Sequence, residues 1–206
     1  MAASRVTQAL LHGASKPVVW VLALLPAAWL LYGAFTDNLG ANPAEALIRG
    51  TGDWALRMLC VALAVTPLRE LTGWQALARF RRLLGLFAFF YVLLHVSSYA
   101  WLDMGWDSAA LVADIVQRPF ILVGALAALV LLALAATSPK RMVRALGGRR
   151  WQQLHASIHA AAWLALLHFF WMRAAKNQVA EVGVYAAIIA MLQLWRVVRR
   201  WRARKA

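Results

Sequence analysis

Apolar positions along this chain are gathered into six runs separated by short polar gaps. A helix needs about 20 predominantly apolar residues to cross the hydrocarbon core of a bilayer. On that measure the runs predict spans at approximately 17–35, 53–68, 83–102, 119–137, 151–172 and 182–198. Pro17 opens the first span and Pro26 predicts a kink inside it. The second is short and carries Arg57 near one end, where a long cationic side chain can snorkel to the interface or meet an anionic ligand group. The first run is long, is flanked by Lys16 and lacks a small-residue cleavage site, so it is read as a retained span and not as a cleavable signal peptide. The connections are short and leave no room for a soluble catalytic domain, and no internal repeat or low-complexity segment stands out. The fold class this implies is an all-α integral membrane protein, a six-transmembrane-helix bundle forming a single domain over residues 1–206.

Composition supports the membrane reading, since 63% of the residues are hydrophobic and only 15% are charged. The formal net charge of +14 could suggest a nucleic-acid partner, but the basic residues sit in small clusters between apolar runs and not on a hydrophilic domain. Orientation in a membrane accounts for them. Residues 1–16, 67–82, 138–150 and the tail from Arg196 hold 17 of the 22 Lys and Arg, whereas the opposite connections hold Arg49, Arg118, Arg173 and Lys176. The positive-inside rule then places both termini in the cytoplasm. Of the acids, Asp37, Glu45, Asp53, Asp103, Asp107, Asp114 and Glu181 fall at or beyond the outer boundary and Glu70 falls inside. Trp101, Trp106 and Trp171 near outer ends, and Trp74, Trp151, Trp195 and Trp201 near inner ones, fit interfacial belts. Lone Cys60 lies within an apolar run and reads as a buried structural thiol.

Against this background the fifth span is anomalous, because RRWQQLHASIHAAAWLALLHFFWM carries His155, His159 and His168. Ionisable residues at bilayer depth are costly and by default functional. The third and fifth spans both run from the inner to the outer side, which gives His95 and His168 similar depth in the outer half of the membrane. Two neutral imidazoles at one depth suit the two axial faces of a haem held between apolar helices, here the third and fifth. His155 lies about one turn inside the inner boundary and has no histidine at matching depth, since His12 precedes the first span and reads as a solvated residue. Arg81 stands 14 residues before His95, close to four helical turns, so the two share a face. It could approach the iron of a second haem opposite His155 or bind haem propionates. On an ideal helix His155 and His168 point about 140° apart, so one groove accepts both only with local distortion. His159 is an alternative ligand or a donor to a backbone carbonyl within its helix, and Gly85 is either a packing position or the gap through which a macrocycle approaches the backbone. Arg82, Arg149, Arg150 and the RRWRARK tail read as topology determinants and headgroup contacts. The absence of GxGxxG, P-loop and CxxCH patterns removes a built-in nucleotide domain and a covalently attached haem.

Several segments also carry a resemblance. TGDWALR, TPLRE, RRLLGLFAFFYVLLHVSSYAWL, QRPFILVG and LGGRRWQQLHASIH followed by LLHFFW resemble the ferric reductase-like transmembrane superfamily. Within it they are similar to the MsrQ (YedZ) family, the haem-binding membrane subunits of the periplasmic protein-methionine-sulfoxide reductase system. The resemblance covers the chain from about Leu25 to Trp195. It implies a b-type cytochrome of the bacterial inner membrane, with one or two haem b groups, that passes electrons to a periplasmic molybdopterin methionine sulfoxide reductase subunit. The donor it implies is a cytoplasmic flavin reductase or the quinone pool, and FMN is a further cofactor associated with the family. His95, His155 and His168 match the family's haem histidines, Arg81 matches the arginine opening RRLLG, and His159 departs from the pattern.

The leading expectation is thus an electron-transfer subunit that performs no substrate chemistry alone. Two readings compete with it: a stand-alone transmembrane ferric or quinone reductase, and a transporter using His95, His155 and His168 as a proton relay without cofactor.

Overall fold

The computed structural model describes residues 2–174 and 177–205, with side chains placed from 5 to 174 and from 177 to 203. Lys176, one of the outer basic residues counted above, lies outside the described residues, as do the side chains of Arg204 and Lys205. Every regular element among the described residues is helical. Five helical stretches are long and apolar enough to cross a membrane, at Ser15–Phe35, Gln75–Leu102, Pro119–Ala136, Gly148–Ala174 and Val179–Ala203. The chain divides into two compact units, residues 1–105 and 106–206.

The first unit begins with α1 (Ala2–Leu11), a short helix that precedes the first apolar run. His12 closes it, its exposed ring accepting a hydrogen bond from Ala14 N–H through Nδ1 at 3.1 Å. The span α2 (Ser15–Phe35) keeps helical geometry through Pro26. Proline removes one N–H and its ring crowds the preceding turn. The fully buried Tyr91 hydroxyl meets the α2 backbone here: it donates to Ala23 O at 2.7 Å and accepts from Ala27 N–H at 3.1 Å. A side chain inserted into the ladder is one of the few recognised causes of a local helix distortion.

The second predicted span belongs to a longer helix, α3 (Pro43–Thr72). Asn42 caps its start, accepting from Glu45 N–H, with Pro43 in the first turn, where no N–H is missed. Gly73 ends it in the left-handed conformation that only glycine adopts without cost. Thirty residues exceed the length needed to span, but Glu45, Arg49, Asp53, Arg57, Arg69 and Glu70 interrupt the apolar run, which is why α3 is absent from the five helices above. Its apolar stripe, including Leu56, Leu59, Cys60 and Leu63, is buried. A 3-10 turn at Gln75–Phe80 leads into α4 (Arg81–Leu102), which packs along α3.

In the second unit Asp107 caps α5 (Ser108–Gln117), its Oδ1 accepting from Ala109 and Ala110 N–H at 2.8 and 3.0 Å. The span α6 (Pro119–Ala136) follows, then the short α7 (Lys140–Leu146). The fifth apolar run is not one helix. It divides at Ser157 into α8 (Gly148–Ala156) and α9 (Ile158–Ala174). Ser157 N–H bonds Leu154 O and its hydroxyl donates to the same carbonyl at 2.7 Å, the local competition with the helix ladder that serine side chains offer. The last helix, α10 (Val179–Lys205), packs against α9 with Ile189 fully buried.

Candidate functional site

His95 stands two-thirds of the way along α4 and is half-buried against α3. Its Nδ1 lies 2.8 Å from Ile48 O. A carbonyl has no proton to give, so Nδ1–H is the donor, and in the neutral ring the lone pair is then on Nε2. His168, on α9 and half-buried against α6, repeats this arrangement: Nδ1–H donates to Phe120 O at 2.7 Å. The Phe120 ring lies nearly parallel to the imidazole, with centroids 6.4 Å apart. Metal-binding histidines almost always have the second ring nitrogen held in this way, which fixes tautomer and orientation and raises the basicity of the ligating nitrogen. The repetition absent from the sequence is therefore present in the geometry, once in each unit.

His155 is held by the other end of its ring. Thr137 Oγ1 lies 2.7 Å from Ala133 O and 3.1 Å from His155 Nε2. The hydroxyl proton goes to the carbonyl, so His155 Nε2–H donates to Oγ1. Trp151 stacks on the imidazole, ring centroids 3.9 Å apart, and its indole N–H donates to Thr137 O at 2.9 Å. Trp151, expected in an interfacial belt, is half-buried and part of the His155 setting. Thr137 gave no sequence signal beyond a hydroxyl at a helix end.

His159 does not donate to its own helix. Its Nε2 accepts from Arg196 Nη1 on α10, so one of the arginines counted with the inner basic residues reaches an internal imidazole. Arg81 opens α4 with an exposed side chain, and because α4 is unbroken, its 14-residue spacing to His95 does place both on one face, about 40° apart. Between His155 and His168 the helix is interrupted at Ser157, a local distortion of the kind that one groove accepting both would require. Arg57 lies over the Trp54 ring, 4.8 Å from its centroid. Gly85 faces open space, with nothing within 4 Å of where a Cβ would stand. Cys60 is buried, as its run predicts. Among the described residues no three His, Cys, Asp or Glu gather into a site for a bare metal ion.

Residues 51–167, which include His95 and His155, match the family described as ferric reductase like transmembrane component. The chain is 59% identical over 93% of its length to a protein-methionine-sulfoxide reductase heme-binding subunit MsrQ from Polaromonas naphthalenivorans (strain CJ2), of which it covers 88%. The chain belongs to the MsrQ family. Two further MsrQ proteins of the same description are 49% identical, from Ralstonia nicotianae, and 48% identical, from Bordetella pertussis. The matches cover 92% and 94% of this chain and 87% and 94% of those relatives. The match extends over both units, so His95 of α4 and His168 of α9 both lie within it.

Proposed function

We propose that this chain is the b-type cytochrome subunit of a methionine sulfoxide reductase system, with His95 and His168 as iron ligands of its outer haem. One observation carries the reading: each imidazole is fixed by an Nδ1–H···O=C bond that leaves the ligating lone pair on Nε2. Their assignment to one haem rests on the sequence register that gives them equal depth. Haem, when bound, supplies a one-electron carrier whose potential responds to axial ligands and the hydrogen bonds behind them. The chain supplies two neutral nitrogen donors on apolar helices, which exclude water and suit a flat macrocycle. MsrQ relatives are named as heme-binding, which agrees with that donor set.

The finer reading follows from the sequence. The two units form one domain, α3 supplies the sixth span, and the chain lies in the bacterial inner membrane with both termini cytoplasmic. A second haem lies toward the cytoplasmic side, with His155 and Arg81 as its associated residues, Arg81 as a ligand or a propionate contact. Electrons enter from a cytoplasmic flavin, flavoprotein or quinone, with FMN as a further cofactor, and leave to a periplasmic molybdoenzyme that reduces methionine sulfoxide in proteins. Binding through Nε2 requires His155 to exchange its Thr137 hydrogen bond for iron.

The proton-relay reading is weakened by the same geometry. A relay passes protons through both ring nitrogens, and a backbone carbonyl behind Nδ1 gives the proton nowhere to go. The stand-alone ferric or quinone reductase differs by turning over without a periplasmic partner, which purified protein and a soluble ferric chelate or quinone would reveal. The deciding measurement is a reduced-minus-oxidised spectrum with haem quantified per chain. His95→Ala and His168→Ala should each remove a low-spin haem signal, and wild-type spectra and haem content in both variants would sink the assignment.

A further inference from the structure

Four helical glycines in this chain are so tightly packed that an added methyl group would meet a neighbour, and they fall into two kinds. A Cβ on Gly33 or Gly50 would come within 2.7 Å of the side-chain ends of Leu39 or Leu30, which can swing aside. A Cβ on Gly52 would lie 3.0 Å from His95 Nδ1 and 3.1 Å from Cε1. On Gly124 it would lie 2.8 Å from His168 Nδ1, 3.0 Å from Cε1 and 3.1 Å from Cγ. These rings cannot swing without losing the bonds that hold them.

The register is the same in both units. The carbonyl that accepts from His95 is Ile48, four residues before Gly52, and the carbonyl that accepts from His168 is Phe120, four residues before Gly124. Residues four apart lie above one another on a helix face. Each imidazole thus lies in a notch one turn long, with a carbonyl at one end and a missing side chain at the other. Any larger residue would hold the ring off the helix and lengthen the Nδ1–H···O=C bond. Glycine also weakens a helix relative to alanine, so its presence inside α3 and α6 at both points needs a packing reason, and the rings provide one.

We infer that Gly52 and Gly124 are positioning residues for the iron-binding imidazoles: each glycine notch lets a histidine lie flush on a neighbouring helix and fixes it as the Nδ1–H tautomer. This rests on the proposed haem ligation by His95 and His168. Gly50 is the matched control, equally crowded in the same helix but by leucine, and Gly183, with nothing within 4 Å, is the open one.

The test uses full-length protein purified in detergent, with folding checked by circular dichroism, for Gly52→Ala, Gly124→Ala, Gly50→Ala and Gly183→Ala. Two readouts are needed. Nitrogen-15 NMR of histidine-labelled, haem-free protein reports which ring nitrogen carries the proton, and haem titration reports retention of the low-spin signal. Gly124→Ala should lose the Nδ1–H signature of His168 and bind haem about 10- to 100-fold more weakly, the usual range for losing a partner behind a metal-bound histidine. Gly52→Ala should shift His95 in the same direction by less, and the two controls should match wild type. Folded Gly52→Ala and Gly124→Ala proteins with wild-type tautomers and wild-type haem retention would overturn the inference. If Gly124→Ala does not fold, Gly52→Ala decides, because its contact at 3.0 Å asks the ring to give only a few tenths of an ångström. A wild-type chain that takes up no haem would overturn the proposed ligation instead, and the tautomer signals would still decide whether the glycines position the rings.

Discussion

Four histidines of this chain are distinguished less by position than by which nitrogen the protein occupies. His95 and His168 are held at Nδ1, His155 at Nε2 and His159 at Nε2 by a guanidinium. The sequence showed that the residues were out of place in apolar helices, because burial of an imidazole is costly whatever surrounds it. It did not show Ile48, Phe120 or Thr137 as partners, since two are backbone carbonyls that any residue type could provide. Gly52 and Gly124 were visible within TGDWALR and QRPFILVG, but nothing local marks a glycine as the place where a ring from another helix lies. Tyr91 was equally silent, reading as one more aromatic in an apolar run. Its hydroxyl completes the α2 ladder, so Tyr91→Phe should leave a buried N–H and C=O short of a partner. A loss of about 1–3 kcal/mol is expected, seen as a lower unfolding temperature in detergent; an unchanged transition would mean that Ala23 and Ala27 re-form their own bond.

At the scale of elements, the apolar runs located α2, α4, α6 and α10 to within a few residues, except that α10 runs on into the basic tail to Lys205. Long runs leave helix as the only way to satisfy backbone groups in lipid. The shorter pieces α1, α5 and α7, and the break at Ser157, escaped because their signals are single side chains and not periodic patterns. Asp107 is one such signal. Removing its two N–H partners with Asp107→Ala should cost about 0.5–2 kcal/mol locally. Hydrogen exchange at Ala109 and Ala110 should then quicken while the haem spectrum stays unchanged. A spectral shift would show that α5 is coupled to the histidines.

For the whole molecule, the charge partition between connections makes a directional claim. An alkaline phosphatase reporter joined after Gly105 should be active, and one joined after Ala206 inactive, since the enzyme needs the periplasm to mature. The reverse pattern would invert the proposed path of electrons. Family membership was legible because its segments lie along almost the whole chain, whereas the glycine notches under His95 and His168 required two helices to be seen together. The Tyr91 bridge has a further consequence, in time. Ala27 leaves the ribosome 64 residues ahead of Tyr91, which at about 5–20 residues per second is a wait of roughly 3–13 s. During that interval Ala23 and Ala27 lack the Tyr91 hydroxyl, so the first apolar span gains this bridge only when the helix bearing His95 arrives.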